Sequence, residues 1–365
     1  MRVALVHDYL TQYGGAERVL EALHEHFPDA TVHTSLYEQD HLPSTWRAWD
    51  IRTSSLAHIP GATKTHRLWL PLYPAIFGQI GRRIDNVDVV IADSSAWSHH
   101  AHPDGIPLIC YCHSPARFLY GDRDYLGAAQ VPGLAQPAVD AVFGALRRLD
   151  RRAARRVTRY VANSHAVRDR IRAAYDVDAT VIHPPVDVAR FRPAAPVAPE
   201  DWFLVVSRLV PHKWIDRAIR ACTSANLPLK VIGSGRAREA LGRMAGPTVE
   251  FLGERTDAEV VDHMRRCRAL ILPGVEDFGM TAVEAQAAGR PVIAAAGGGA
   301  LESVVHGVTG LHVTPTDDAA WVAALREARE REWSTEAIQC HATTFGVDVF
   351  LTKMDAVIAE VMGKQ

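Results

Sequence analysis

Two acidic side chains stand eight positions apart in PGVEDFGMTAVEAQAAG (273–289): Glu276 before a Phe278-Gly279 pair, and Glu284 in the helical pattern behind it. Three further loops in this half of the chain carry groups of related chemistry. Arg208 and Lys213 follow the apolar run FLVVS (203–207), Gly233-Ser234-Gly235 follows LKVI (229–232), and Gly297-Gly298-Gly299 follows PVIAA (291–295). Two cations, glycines that let backbone amides come close, and helix N-termini together make a site for a diphosphate. Gly235, Phe278, Gly279, Met280 and Thr281 belong to the loops and the helix start that would cradle it. Carboxylates repel phosphate, so the two acids need other partners. Glu284, on the second helical turn, suits ribose hydroxyls, and Glu276 suits hydroxyls of the group beyond the far phosphate.

The elements that must position these groups alternate. Short Val-rich runs at 2–7, 31–35, 87–93, 107–112, 159–164 and 179–185 read as buried strands, with helical patterns such as AERVLEALHEHF (16–27) between several of them. The window 183–201 holds five prolines and reads as a linker. Alternation then restarts with strands at 203–207, 229–234, 249–253, 269–273 and 291–295, and with a helix whose Thr256 and Glu259 have capping-box spacing. Strand–helix alternation predicts parallel sheets covered on both faces. The chain is therefore expected to hold two doubly wound α/β domains, 1–190 and 191–348, hinged near 190. A last helical pattern at 349–362 is open to packing on either, including back onto the first. A length of 365 residues suits two cores better than one.

Other features narrow the function by exclusion. A net charge of −2, from 40 basic and 42 acidic side chains, gives no reason to expect nucleic acid as a partner. His7 and Asp8 interrupt any signal-peptide core, and no run reaches membrane-spanning length, so a cytoplasmic protein is expected. Five scattered cysteines without a Cys-x-x-Cys pair read as buried, reduced thiols. The histidines of WSHHAHP (97–103) have no carboxylate or cysteine beside them and read as a surface loop rather than a metal site. Two basic stretches, 66–84 (with Trp69, Tyr73, Phe77, Arg67, Arg82 and Arg83) and 146–160 (with seven arginines), are read first as ordinary amphipathic helices. Their functional alternative is contact with an anionic membrane or acceptor.

Eight segments in order, GGAERVL (14–20), CHSPARFLYG (112–121), ANSHAVRDRI (162–171), VIHPPVD (181–187), SRLVPHK (207–213), FLGERTDAEV (251–260), EDFGMTAVEAQAAGRPVIA (276–294) and GGGALE (297–302), resemble the retaining glycosyltransferases of family 4. The resemblance spans essentially the whole chain, and within the family it is nearest to bacterial mannosyltransferases that use GDP-mannose. It implies the GT-B fold, two Rossmann-like domains facing across a cleft, and transfer of a hexosyl group to a hydroxyl of a glycan or lipid-linked acceptor. It also implies no cofactor and no metal, cationic side chains serving in the metal's place. Arg208 and Lys213 would neutralise the departing diphosphate, Glu284 would bind the ribose and Glu276 the transferred sugar. His113 would meet that sugar from the first domain, and Gly14-Gly15 would close over the diphosphate and acceptor. Trp214 departs from the pattern, relatives often having a small or basic residue after the lysine. A UDP- or dTDP-sugar donor is the alternative, and a sugar-nucleotide epimerase of the same architecture is a further one. A dinucleotide oxidoreductase is disfavoured, because GSGRAR (233–238) has Arg238 where the fingerprint requires its third glycine. A non-catalytic sugar-nucleotide scaffold is disfavoured by the presence of Glu276, His113, Arg208 and Lys213 together.

Overall fold

A computed structural model describes residues 1–121 and 136–363, apart from the side chains of His66, Arg67 and Gln136. The chain forms two compact units, one of Met1–His183 with Phe350–Gln365 and the other of Pro184–Val349.

The first unit is built on seven strands: β1 (Val3–His7), β2 (Thr31–Thr34), β3 (Ile51–Thr53), β4 (Val89–Ser94), β5 (Leu108–Cys112), β6 (Arg159–Ala162) and β7 (Ala179–Val181). They pair in parallel in the order β3-β2-β1-β4-β5-β6-β7. The period-two alternation of side chains splits the apolar residues between two faces. Leu5, Val32, Ile91 and Tyr111 pack with Val19, Leu20 and Leu23 of the helix Gly15–His26 and with Phe350, Met354 and Ile358 near the C-terminus. Ala4, Val6, Val90 and Ala92 face the opposite way, onto Tyr73 and Phe77 of the helix Tyr73–Gly81. Those two aromatics of the basic 66–84 stretch are thus core residues, while Leu68 and Leu72 beside them are 77% and 50% exposed. Arg67 of that stretch lies outside the described side chains.

The second unit repeats the plan with β8 (Phe203–Val206), β9 (Leu229–Ile232), β10 (Val249–Gly253), β11 (Leu270–Leu272), β12 (Val292–Ala295) and β13 (Gly310–Val313), all parallel, in the order β10-β9-β8-β11-β12-β13. Phe203, Val205, Val231, Ile271 and Ile293 meet Ile215 and Ile219 of the helix Ile215–Ala225 and Trp321 and Leu325 of the helix Asp318–Glu330. Leu204, Leu272, Val292 and Ala294 face Met264, Phe278, Val283 and Phe345.

Several details depart from the sequence reading. The proline-rich window is not a bare linker. It contains the short helix Val188–Phe191, capped by Asp187 and anchored by Phe191 in the second core. Arg265 donates to the carbonyls of Arg190, Phe191 and Arg192 at 2.9 Å each, which fixes this segment to the second unit, whose contacts begin at Pro184. Strands β3 and β13 lie outside the apolar runs of the sequence. The first is three partly exposed residues, and the second opens on glycine and carries a histidine, so neither shows an apolar run. Cys340 is exposed, unlike the other four cysteines, because its helix Thr335–Thr343 turns that face outward.

Both sheets change direction of strand order, between β1 and β4 and between β8 and β11. The carboxyl ends of strands flanking such a switch point are where open α/β sheets hold ligands. The chemistry-bearing residues must therefore be sought after β1, β4, β8 and β11.

Candidate functional site

In the second unit the loops after β8 and β11 meet at the switch point. Arg208 stands exposed directly after β8, and a single turn, Pro211–Lys213, delivers Lys213. Trp214 follows at φ 51° and stacks beneath the guanidinium of Arg217, 3.7 Å from the ring centroid, so this unusual residue is held by a cation–π contact. The Nζ of Lys213 donates to both carboxylate oxygens of Glu276, at 2.6 and 2.5 Å, with the two side chains only 20% and 17% exposed. The expected phosphate ligand and the expected sugar ligand thus form one ion pair, a bidentate arrangement of the stronger kind.

Glycines bring the loops this close. A Cβ on Gly298 would lie 2.1 Å from the carbonyl oxygen of Glu276, and one on Gly235 would lie 2.4 Å from that of Leu209, so neither position has room for a side chain. The amide of Gly299 donates to the carbonyl of Glu276 at 3.0 Å, tying the glycine triplet to the acid loop. Gly279, at φ 88°, turns the chain into the helix Met280–Ala287, whose first turn holds the half-buried Met280 and Thr281. The amides of such a first turn are unsatisfied donors suited to an anion. The side chain of Phe278 is buried against Phe345, so only its backbone is left for a ligand. Glu284 lies on the second turn of the helix and is 4% exposed, so any hydroxyl it binds meets it in a largely desolvated setting.

In the first unit the switch point carries a network that the sequence reading did not anticipate. His113, immediately after β5, is 12% exposed, and its Nε2 lies 2.5 Å from Oδ1 of Asp93. The other oxygen of Asp93 is 2.8 Å from Nδ1 of His7, and Nε2 of His7 lies 3.7 Å from Oε1 of Glu17. Oε2 of Glu17 accepts from the amide of Gly14, the N-cap of the helix Gly15–His26, at 2.9 Å. Burial alone would lower the pKa of His7, but Asp93 and Glu17 outweigh it and raise the value to about 10. Burial pushes Asp93 the other way, yet His113 and His7 bring its pKa below the ordinary carboxylate value. Asp8, next to His7, accepts four backbone amides, those of Ser95, Ala96, Trp97 and Ser98, at 2.6–2.8 Å, and so fixes the loop after β4. Histidine and aspartate at strand ends (His7-Asp8, Asp93) are the signal the sequence offers for this network.

The WSHHAHP segment is corrected. His99, His100 and His102 are buried, not on a surface loop. A carboxylate reaches two of them, while His102 pairs with the carbonyl of Ala153: Oδ1 of Asp150, on the arginine-rich helix Gln136–Ala154, lies 3.0 Å from Nε2 of His100 and 3.1 Å from Nε2 of His99. His99, His100 and Asp150 could hold a metal by proximity, yet their mutual contacts already account for a carboxylate buried between two imidazoles. Burial leaves His100 with a lowered pKa despite Asp150, while His99 and His100 hold Asp150 below its ordinary value against burial. Arg148, Arg151, Arg152 and Arg155 line a surface depression on and just beyond the same helix, giving it the basic outer side and buried inner side expected of an amphipathic element.

Comparison with known proteins adds a family. Residues 13–190 match the family described as Glycosyltransferase Family 4, and residues 190–342 match Glycosyl transferases group 1. The D-inositol 3-phosphate glycosyltransferase of Streptomyces avermitilis is 33% identical over 227 residues, covering 52% of this chain and 49% of that protein. Its counterpart in Frankia alni is 28% identical over 262 residues, 63% of this chain and 61% of that protein. The chain thus spans about half to three fifths of these relatives' length. Among solved structures, Anabaena HepE in complex with UDP and glucose aligns with a TM-score of 0.71 at 20% identity, over 99% of this chain and 100% of that one. Sucrose-phosphate synthase from Thermosynechococcus elongatus aligns with a TM-score of 0.71 at 16% identity, over the whole of both chains. Adjoining family matches over 13–342, two parallel doubly wound sheets and these structural neighbours lead to one conclusion: the chain belongs to the family 4 type of glycosyltransferases and has their GT-B fold.

Proposed function

We propose that the protein transfers a hexosyl group, mannosyl from GDP-mannose, to a hydroxyl of a glycan or lipid-linked acceptor with retention of anomeric configuration. The observation that carries this reading is the Lys213–Glu276 pair at the switch point, beside Arg208 and the N-terminus of the helix Met280–Ala287. A diphosphate placed there gains two cations and a helix dipole as it departs, an electrostatic stabilisation of the leaving group. The bond from the sugar's anomeric carbon to the phosphate oxygen breaks, the acceptor oxygen bonds to that carbon, and the acceptor's proton passes to a phosphate oxygen. Glu276 offsets positive charge growing on the sugar, Glu284 holds the ribose, and His113 receives a sugar hydroxyl. No metal or cofactor is part of this scheme, since the cations on the chain do the neutralising. The GDP assignment follows from the sequence resemblance. UDP is the second reading, favoured by HepE, whose structures hold UDP, glucose and UDP-glucose.

Among the described residues no helix is long and apolar enough to cross a membrane. The exposed Leu68 and Leu72 and the arginines 148–155 support peripheral contact with an anionic membrane at its cytoplasmic face. Salt-sensitive binding to anionic vesicles is the expected outcome. Absence of binding at low salt returns both stretches to ordinary surface.

A thermal-shift panel of GDP, UDP, ADP and dTDP with their sugars tests the donor, because a ligand bound only by the folded chain raises the Tm by mass action. GDP and GDP-mannose are expected to give the largest shift. A larger shift with UDP replaces the nucleotide and leaves the reaction class standing. NMR of the product decides the stereochemistry, and an inverted anomeric centre would overturn the retaining mechanism. No shift with any nucleotide would remove the donor site from this place.

A further inference from the structure

Arg208, Lys213, Glu276 and Glu284 each have a role in the proposed reaction, but His7, Asp93 and Glu17, buried behind His113 in the first unit, have none. We infer that Asp93, His7 and Glu17 are positioning residues that tie the ring of His113 to the Gly14 loop, so that ring and loop meet the substrate as one piece. This rests on the glycosyl-transfer reading of His113 and deepens it.

The geometry is a chain of alternating acid and base. From the surface inward it runs His113 Nε2 to Asp93 at 2.5 Å, Asp93 to His7 at 2.8 Å and His7 to Glu17 at 3.7 Å, then from Glu17 to the Gly14 amide at 2.9 Å. Only His113 reaches solvent appreciably; the side chains of His7, Asp93 and Glu17 are 3%, 1% and 4% exposed. Each carboxylate spends one oxygen on His7 and the other on a site element. Neither can shift without moving its partner through the same imidazole. Charge balance explains the alternation. Two carboxylates buried together would repel, and His7, kept protonated by both, stands between them and offsets one of the two charges.

Backbone contacts fix the other coordinates of the His113 ring. Its amide donates to the carbonyl of Ser94 at 2.8 Å, and its carbonyl accepts from the side chain of Asn163 at 3.3 Å. Asp93 therefore sets the remaining freedom, the ring orientation, and holds a proton on Nε2. With Nε2–H donated to Asp93, Nδ1 is the ring nitrogen that faces away from Asp93 and is left for a sugar hydroxyl. Asp8 supports the arrangement separately by holding the four amides of Ser95, Ala96, Trp97 and Ser98, just beyond β4.

Imidazole NMR of the 15N-labelled full-length chain, with steady-state kinetics, tests the inference. In the wild type His113 is expected to keep a proton on Nε2, held by Asp93, with both nitrogens of His7 protonated at pH 8. Asp93→Asn should change the His113 ring shifts and lower kcat by about 10–100-fold, the loss of one charge-assisted hydrogen bond, while donor KM moves little. Glu17→Ala, at the far end, should also move the His113 shifts, and Glu17→Gln should restore much of the turnover because its amide oxygen can still accept from Gly14. Unchanged His113 shifts in Asp93→Asn and Glu17→Ala would overturn the tie. Changed shifts with unchanged turnover would overturn the positioning role. A wild type with the predicted ring protonation that transfers sugar from no nucleotide donor would refute the glycosyl-transfer reading, and the positioning role with it, while leaving the tie itself intact. If Asp93→Asn fails to fold, the two Glu17 variants carry the same decision.

Discussion

Glu276→Gln should tighten binding of the nucleoside diphosphate while slowing transfer. Lys213 is engaged by both oxygens of Glu276, at 2.6 and 2.5 Å, so an incoming phosphate must compete for that ammonium. Two unit charges about 4 Å apart attract by about 4 kcal/mol at an effective dielectric near 20, but desolvation offsets most of this in a net balance. A charged hydrogen bond contributes a net of about 1.5–3 kcal/mol. The lower end applies here, because the two side chains retain 20% and 17% exposure. Glutamine keeps an oxygen that accepts from Lys213 and loses only the charge. The competitor is therefore weakened by roughly 1 kcal/mol, and Kd for the nucleotide should fall by about fivefold. Transfer should slow at the same time, since the carboxylate opposes positive charge that grows on the sugar only in the transition state. Calorimetric titration of GDP and UDP into wild type and Glu276→Gln, with kcat for each, measures both effects. Lys213→Met is the opposite control and should weaken nucleotide binding. If Glu276→Gln weakened the nucleotide by more than about threefold, Glu276 would be a nucleotide ligand and the competition argument would be wrong.

The remaining expectations concern single groups. Glu284→Gln should raise donor KM by about 10–100-fold with kcat largely retained, the loss of a charge-assisted hydrogen bond made equally in ground and transition states; a fall in kcat alone would remove Glu284 from the ribose. His7 has a folded pKa raised to about 10 from an ordinary 6.5, so its stabilising contribution is complete below pH 6.5 and is lost as pH rises through 10. Urea unfolding at pH 7 and pH 10 should therefore show His7→Gln less stable by a few kcal/mol at pH 7, on the order expected for a buried ion cluster, with the gap narrowing toward pH 10; a gap independent of pH would contradict a protonated His7. Gly298→Ala places a Cβ 2.1 Å from the carbonyl oxygen of Glu276, at φ 60°, and should cost about 1–3 kcal/mol in chemical denaturation together with much of the turnover. A fully active Gly298→Ala would show that Glu276 tolerates displacement.

What could be read from the sequence, and what could not, divides along a physical line. Arg208, Lys213, Glu276 and the glycine loops were legible because each follows its own strand within a few residues, and strand, loop and helix start are local patterns. Their meeting was legible only through the rule that ligands sit beyond strand carboxyl ends. The ion pair joining Lys213 to Glu276 was not, since it depends on β8 and β11 being neighbours although two strands separate them in the chain. The first unit shows the same limit more sharply. His7 and Asp93 are 86 positions apart, yet they are register partners in the β1–β4 pairing, so the contact between them is a consequence of strand order. Read singly, each is a polar residue at the end of an apolar run, indistinguishable from a residue that merely ends a strand. Asp150 was hidden for a related reason: it lies in an arginine-rich stretch that advertises a solvated surface, while its own side chain is fully buried against histidines 50 and 51 positions earlier. Local pattern names the residues at the end of each strand, and sheet topology decides which of those ends become one site. A doubly wound order puts the first and fourth strands side by side in both units, so the residues after them are brought together while sharing no sequence signal.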